Sequence, residues 1–242
     1  MGCALTPDEL RRVALFARLA PDQLVALAGG LRVATVAART TLMTVAQPGR
    51  RVYVILSGAV KVGVEHADGR EVVLALLGPG DVVGEMSLVD QLDRSASVTT
   101  LEVTALAWMD GAAFRRQLQT IPHLLDNLMT LLSRRLRRAN ARLQANATLD
   151  VEGRVALQLL ALAHDFGERA APAGVRIPLR LSQTDLAALV AASRVRVNQV
   201  MVDYQRRGYI GVGRDGRITV LECAALERRV GEALLDPARL AE

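Results

Sequence analysis

Thirteen residues, Val52 to Val64, read "VYVILSGAVKVGV", and they restrict the fold more than any other stretch. Apolar side chains recur at every second position, the period of a strand that buries one face. Two turn signals follow within the next twenty residues. Asp68-Gly69 is a hairpin dipeptide, because both central positions of a tight turn favour positive φ. Gly78-Pro79-Gly80-Asp81 is a second turn, with proline setting φ between two permissive glycines. Residues from about 30 to 110 therefore read as many short antiparallel strands, a barrel or jelly roll. A short helical stretch, "TPDELRRVALFARLAPDQLVALAGG", precedes them.

From about 111 to 147 the period changes to that of a helix. Leu125, Leu128, Leu132, Leu136, Ala139 and Leu143 recur at steps of three or four, and Arg134, Arg137, Arg138 and Arg142 occupy the other face. A stripe of that length exceeds what one small domain covers, so pairing with a second copy is expected. Asp150 then reads as an N-cap, with Glu152 well placed in the first turn and Gly167 suited to the end of the following helix. The segment "ERAAPAGVRIPL" reads as a loop with a short strand.

The stretch from Leu181 to Ile210 holds two short helices. Ser182-Gln183-Thr184-Asp185 has the form of a capping box. After a tight turn at Ala191-Ala192, Ser193 caps a second helix reaching about Arg207. Two helices joined so closely make a helix-turn-helix. The second exposes Arg194, Arg196 and Gln199, side chains able to read guanine, hold phosphate or read adenine. A hairpin follows, with Asp215-Gly216 at its tip between Arg214 and Arg217, giving a winged arrangement. Charge agrees. The chain carries a formal +5, and the excess lies outside the β section: five arginines stand against Asp126 alone in residues 121–149. A local basic excess suits a polyanion such as DNA.

One stretch of the β section remains, "LVDQLDRSASV" at residues 88–98, directly after "GDVVGEMS". A lone arginine beside two serines among apolar residues is either a polar loop or a phosphate-binding turn. Other chemistries have little support. Cys3 and Cys223 cannot build a thiolate cluster, His66, His123 and His164 lack metal-ligand spacing, and no nucleophile stands with a base. No metal or cofactor and no enzymatic activity are expected. No run of about 18 apolar residues marks a membrane span, and "MGCALTPDEL" lacks a signal-peptide pattern, so a cytoplasmic protein is expected.

In this order (β-roll, long helix, winged helix-turn-helix) the chain resembles the cyclic-AMP receptor protein / fumarate-nitrate regulator family of bacterial transcription factors, over roughly residues 15 to 222. "GDVVGEMSL" with "DRSASV" resembles that family's phosphate-binding cassette, "LDVEGRVALQLLALA" its hinge and first DNA-domain helix, and "LSQTDLAALVAASRVRVNQVM" its recognition unit. The resemblance implies an α+β fold in three parts: residues 1–120 a cyclic-nucleotide-binding β-roll with N-terminal helices, 121–149 a dimerisation helix and hinge, and 150–242 a winged helix-turn-helix with a C-terminal helical extension of unassigned role.

The resemblance also assigns residues. Gly84, Glu85, Met86, Ser87, Arg94, Ser95 and Ala96 form the ligand cassette. Arg94 pairs with a cyclic phosphate, Ser95 donates to it, Glu85 accepts from the ribose 2′-hydroxyl, and Gly84 allows close approach. Arg135 and Asn140 of the long helix complete the site. Ala139 stands where cyclic-AMP binders often carry threonine. Ser182, Gln183, Thr184, Ser193, Arg194, Val195, Arg196, Asn198, Gln199 and Arg214 face DNA. Val195 and Gln199 depart from the glutamate and arginine or lysine common there. The implied partners are cyclic AMP, double-stranded DNA, a second copy of the chain and RNA polymerase, with no membrane. A differently triggered or ligand-independent regulator, and a nucleotide-responsive module without DNA binding, are the alternatives.

Overall fold

A computed structural model of the chain describes residues 5–67, 69, 71–170 and 174–231. Along the chain it contains α1 (Pro7–Arg11), a 3-10 turn (Ala14–Phe16), α2 (Pro21–Gly30), β1 (Arg32–Val36), β2 (Thr41–Met43), β3 (Arg51–Ser57), β4 (Val60–Glu65), β5 (Glu71–Leu77), β6 (Val82–Val83), α3 (Met86–Val89), β7 (Ser97–Thr100) and β8 (Thr104–Asp110). Then follow α4 (Gly111–Thr120), α5 (Pro122–Thr148), α6 (Val151–Phe166), β9 (Glu168–Arg169), β10 (Val175–Ile177), α7 (Gln183–Leu189), α8 (Arg194–Arg206), β11 (Ile210–Val212), β12 (Ile218–Val220) and α9 (Cys223–Val230). The chain divides into two compact units. One holds residues 1–70 and 74–133, the other 71–73 and 134–242.

In the first unit, two four-stranded antiparallel sheets, β1-β8-β3-β6 and β2-β7-β4-β5, form the expected roll. Strand β3 corrects the alternation expected of Val52–Val64: the run breaks at Gly58 into β3 and β4, and β3 itself is apolar on both faces. Val52 and Val54 pack with Leu10, Phe16, Leu24, Phe114 and Leu128, which lie on or beside the helices. Ile55 turns the other way and joins Met43, Val60, Leu77, Val83, Val98 and Leu106 from both sheets. A strand covered on two sides reads as a continuous apolar run.

The turns follow their glycines. Gly58 (φ +82°) joins β3 to β4, where a Cβ would stand 2.6 Å from the Val103 carbonyl oxygen. Gly80 (φ +89°) donates its N–H to Ile55 O at 2.8 Å. At the expected Asp68-Gly69 hairpin, Gly69 has φ +80° and its N–H reaches His66 O at 2.9 Å; Asp68 lies outside the described residues.

The stretch read as helical from about 111 to 147 holds two helices, and the long one starts at the expected boundary. Ile121 is extended (φ −119°, ψ 95°), and Pro122 starts α5. A residue before proline is pushed out of the helical region, and proline's missing N–H costs nothing at a helix start. The apolar stripe also divides. Leu124 and Leu128 are buried against the roll, while Leu125, Met129, Leu136 and Leu143 are exposed. Asn127 fastens α5 by donating from Nδ2 to Leu15 O and Ala17 O at 3.0 and 2.6 Å.

In the second unit α6 begins as expected, with Asp150 Oδ1 accepting from the Gly153 N–H at 2.8 Å. Val155, Leu159 and Leu162 of α6 are buried, as are Val197 and Tyr204 of α8 and Leu226 of α9, and α6 packs on both of those helices. Gly167 ends α6 as expected, but it is not a left-handed cap (φ −69°, ψ 140°). It is needed for space, because a Cβ there would lie 2.0 Å from Ala163 O and 2.3 Å from Val175 Cγ1. The loop after α6 pairs β9 with β10; Ala171, Pro172 and Ala173 lie outside the described residues.

Ser182 and Asp185 form the capping box, and Ser193 Oγ accepts from the Arg196 N–H at 3.2 Å. Ala191, between the two helices, has φ +50°. Left-handed backbone costs a residue with a Cβ about 1 kcal/mol, and glycine's extra unfolded freedom offsets part of any gain from removing it. Ala191→Gly should therefore raise stability by roughly 0.5 kcal/mol, read as a higher denaturant midpoint at unchanged slope. A lower midpoint would show that the turn is unstrained.

Candidate nucleotide cassette and DNA-reading surface

The cassette is built around Arg94, which is only 5% exposed. Its backbone is locked first: the Arg94 N–H donates to Gln47 O, and its carbonyl accepts from the Ala46 N–H, both at 2.9 Å. Its guanidinium then spans the turn. NH1 donates to Gly84 O at 2.7 Å and reaches Ser87 Oγ at 3.4 Å, while NH2 donates to Arg51 O at 2.6 Å. Burial pulls its pKa below the ordinary guanidinium value, and Tyr53 and Glu85 oppose that pull. Glu85 is itself 1% exposed, so a carboxylate and a guanidinium share one desolvated turn.

Gly84 makes the turn possible. At φ +85° a Cβ would stand 2.7 Å from both Arg51 O and Arg94 NH1. Gly49 does the same from the opposite loop, where a Cβ would meet the Ser87 Cβ at 2.3 Å. Arg115 holds α3 from behind, donating from NH2 to Leu88 O at 2.7 Å.

The seven cassette residues expected from the sequence lie in two segments, 84–87 and 94–96, which Arg94 and Ser95 bring together, and they differ in exposure. Glu85, Ser87, Arg94 and Ala96 are buried, Gly84 is half-buried, and Met86 and Ser95 are exposed, the Ser95 hydroxyl lying 3.8 Å from Met86 Sδ. Arg135 and Asn140 stand on the C-terminal half of α5, in the second unit, half-buried and exposed respectively. Gly49, the Gln47 and Arg51 carbonyls and Arg115 were not read from the sequence. Gly49 left a trace as a loop glycine; the others are backbone or distant partners with no local signal.

In the second unit the N-terminal part of α8 is open. Ser193, Arg194, Val195, Arg196, Asn198 and Gln199 are exposed, as are Ser182, Gln183 and Thr184 at the start of α7. Gln183 Nε2 donates to Asn198 Oδ1 at 2.7 Å and ties the two helices. Arg196 NH1 donates to Gln199 Oε1 at 3.3 Å. At the wing, Arg214 is exposed. Arg217 instead turns inward, with Nε on Pro178 O at 2.6 Å and NH1 on Asp215 Oδ2 at 2.8 Å. The NH1 bond and a second one from the Arg217 backbone N–H to Asp215 Oδ1 at 3.1 Å, helped by Arg176, draw the Asp215 carboxyl down to about 2. The clasp they form is present above the ordinary carboxylate range and is lost only as pH falls through that value.

Two family descriptions match the two units in turn. Residues 33–121 match the cyclic nucleotide-binding domain, and residues 153–229 the Crp-like helix-turn-helix domain. The CRP-like cAMP-activated global transcriptional regulator of Mycobacterium tuberculosis is 39% identical over 204 residues, covering 84% of this chain and 91% of that protein. The chain belongs to the cyclic-AMP receptor protein / fumarate-nitrate regulator family. As a member it is a transcription regulator with a cyclic-nucleotide-binding and a DNA-binding helix-turn-helix domain, and not an enzyme. The cyclic AMP receptor protein of Thermus thermophilus is 35% identical, over 74% of this chain and 79% of its own. Among solved structures, the c-di-GMP responsive global regulator CLP of Xanthomonas campestris superposes with a TM-score of 0.71 at 26% identity, covering 84% of this chain and 99% of that one. Among the described residues no helix is long and apolar enough to cross a membrane, and no group of His, Cys, Asp and Glu is arranged to hold a metal ion.

Proposed function

We propose that this family member is a homodimeric regulator that binds cyclic AMP in the β-roll and a near-palindromic DNA site through α8. The observation that carries the ligand reading is the Arg94 fork buried beside Glu85 in a glycine turn. A desolvated guanidinium suits a phosphate, and a neighbouring carboxylate suits a ribose hydroxyl, so the pair selects a cyclic ribonucleotide over a simple anion. Gly84, Met86, Ser87, Ser95 and Ala96 supply the remaining cassette contacts. The names of the mycobacterial and Thermus relatives point to cyclic AMP.

Exposed Leu125, Met129, Leu136 and Leu143 on α5 support pairing of two copies. Nucleotide binding then shifts the population toward a pairing that sets two recognition helices one DNA turn apart, through a hinge at Thr148–Asp150. Such a regulator works in the cytoplasm and acts on RNA polymerase. Calorimetric titration with cyclic AMP and, separately, cyclic GMP tests the ligand. Saturable heat with cyclic AMP supports the reading; silence with both nucleotides, on a dimer that binds DNA, overturns it.

That silent outcome belongs to a second reading, a regulator with another trigger or none. Two observations favour it: Ala139 has no polar side-chain atom, and both Arg94 terminal nitrogens already donate to carbonyls.

Val195 is 70% exposed near the start of α8, where it can meet a thymine methyl but cannot accept from cytosine as glutamate does. Selection from a random duplex library should therefore return a half-site different from the one common in the family. Recovery of the usual half-site unchanged would refute this.

A further inference from the structure

The last helix among the described residues, α9, has no part in the proposed mechanism. Its Ala225, Leu226 and Val230 are buried, so it is a seated part of the second unit and not a loose tail. It reaches the first turn of α6 at Gly153, where an added Cβ would come within 3.3 Å of the Arg229 carbonyl. Beside that glycine stands Glu152. Its Oε2 pairs with Arg229 NH2 at 2.8 Å, and its Oε1 lies 3.7 Å from Arg196 NH2. Its backbone carbonyl accepts from the fully buried Tyr204 hydroxyl at 2.8 Å. One carboxylate, fixed from α6, α8 and α9, thus faces two arginines, one on α9 and one on the DNA-reading helix.

We infer that Glu152 and Arg229 form a charge relay by which α9 sets how freely Arg196 engages DNA. This rests on the reading that α8 is the DNA-contacting helix. Arg196 has a close carboxylate and, when DNA is bound, a competing phosphate. Both are anions seeking the same fork. Arg229 holds the carboxylate at the shorter distance and supplies its counter-charge, so Arg196 is held loosely and passes to the phosphate at small cost. Without Arg229, Glu152 has Arg196 as its remaining close cation in this cluster and retains it. Arg196 also donates to Gln199 Oε1, so its release or retention is felt by a neighbouring base-reading side chain. Glu152 and Arg229 are positioning residues: neither touches the nucleic acid.

The test uses the full chain, with cyclic AMP present, on a duplex selected from a random library by the wild type. Binding is measured by fluorescence anisotropy across a salt series. Arg229→Gln should weaken binding about 3- to 10-fold and flatten the salt dependence by up to about one phosphate contact, a slope near 0.9. Glu152→Gln should strengthen binding by a similar factor. The double variant should behave like Glu152→Gln alone, because Arg229 has nothing left to neutralise. In an Arg196→Gln background neither change should matter.

A merely structural role for α9 predicts a double variant as weak as Arg229→Gln or weaker, and that result overturns the relay. So does an Arg229→Gln protein that binds like wild type while Arg194→Glu abolishes binding. If Arg194→Glu leaves binding intact, the α8 reading itself fails and takes the relay with it.

Discussion

Arg94→Ala is expected to weaken cyclic-AMP binding by about 10- to 100-fold, the 1.5–3 kcal/mol of a hydrogen bond to a charged group. The geometry sets the size of this effect. The guanidinium is almost entirely out of water, so its attraction for a phosphate is weakly screened. It is also the brace of the turn that must receive the ligand, through Gly84 O and Arg51 O. Removing it leaves two half-buried carbonyls without those donors, at about 1 kcal/mol each, so the variant should also melt at a lower temperature. Arg94→Lys separates the two roles. Lysine keeps the charge but cannot reach both carbonyls in one plane, so it should recover part of the affinity and little of the stability. Titration calorimetry and thermal unfolding of the three proteins measure both quantities. A folded Arg94→Ala protein with an unchanged cyclic-AMP Kd would remove the cassette from the mechanism.

Arg194→Glu should cost DNA binding about 100-fold or more and leave nucleotide affinity untouched. Arg194 is the first residue of α8, exposed, and its side chain has no hydrogen bond or ion pair among the described residues, so its reversal removes no contact of the fold. A lost bidentate base or phosphate contact accounts for about 1–3 kcal/mol, and a carboxylate facing the phosphate backbone adds repulsion. The nucleotide cassette lies in the other unit, so its contacts do not depend on this side chain. Anisotropy on the selected duplex and calorimetry with cyclic AMP check the two halves. Loss of both activities together would indicate misfolding or a wrong placement of the reading helix.

Local signals in the amino-acid sequence determined the element types and most of their ends. Alternation gave the strand character of the roll, the turn signals placed Gly69 and Gly80 at positive φ, and the Ser182, Ser193 and Asp150 side chains marked three helix starts. Each depends on residues within a few positions of one another, and short-range physics is readable along the chain. The resemblance added the cassette residues, because they lie within about a dozen positions of sequence. Only the tertiary structure decided what those residues touch. Arg94 meets the Arg51 carbonyl 43 residues away, Gly49 packs on Ser87, and Asn127 holds the chain at Leu15 and Ala17. Gly167 ends α6 as expected, but what requires a glycine there is close packing against Ala163 and Val175 and not a left-handed backbone. The pairing of Glu152 with Arg196 and Arg229 had no sequence signal at all. Any surface glutamate can pair with any arginine, and which one it meets is settled by how α6, α8 and α9 pack.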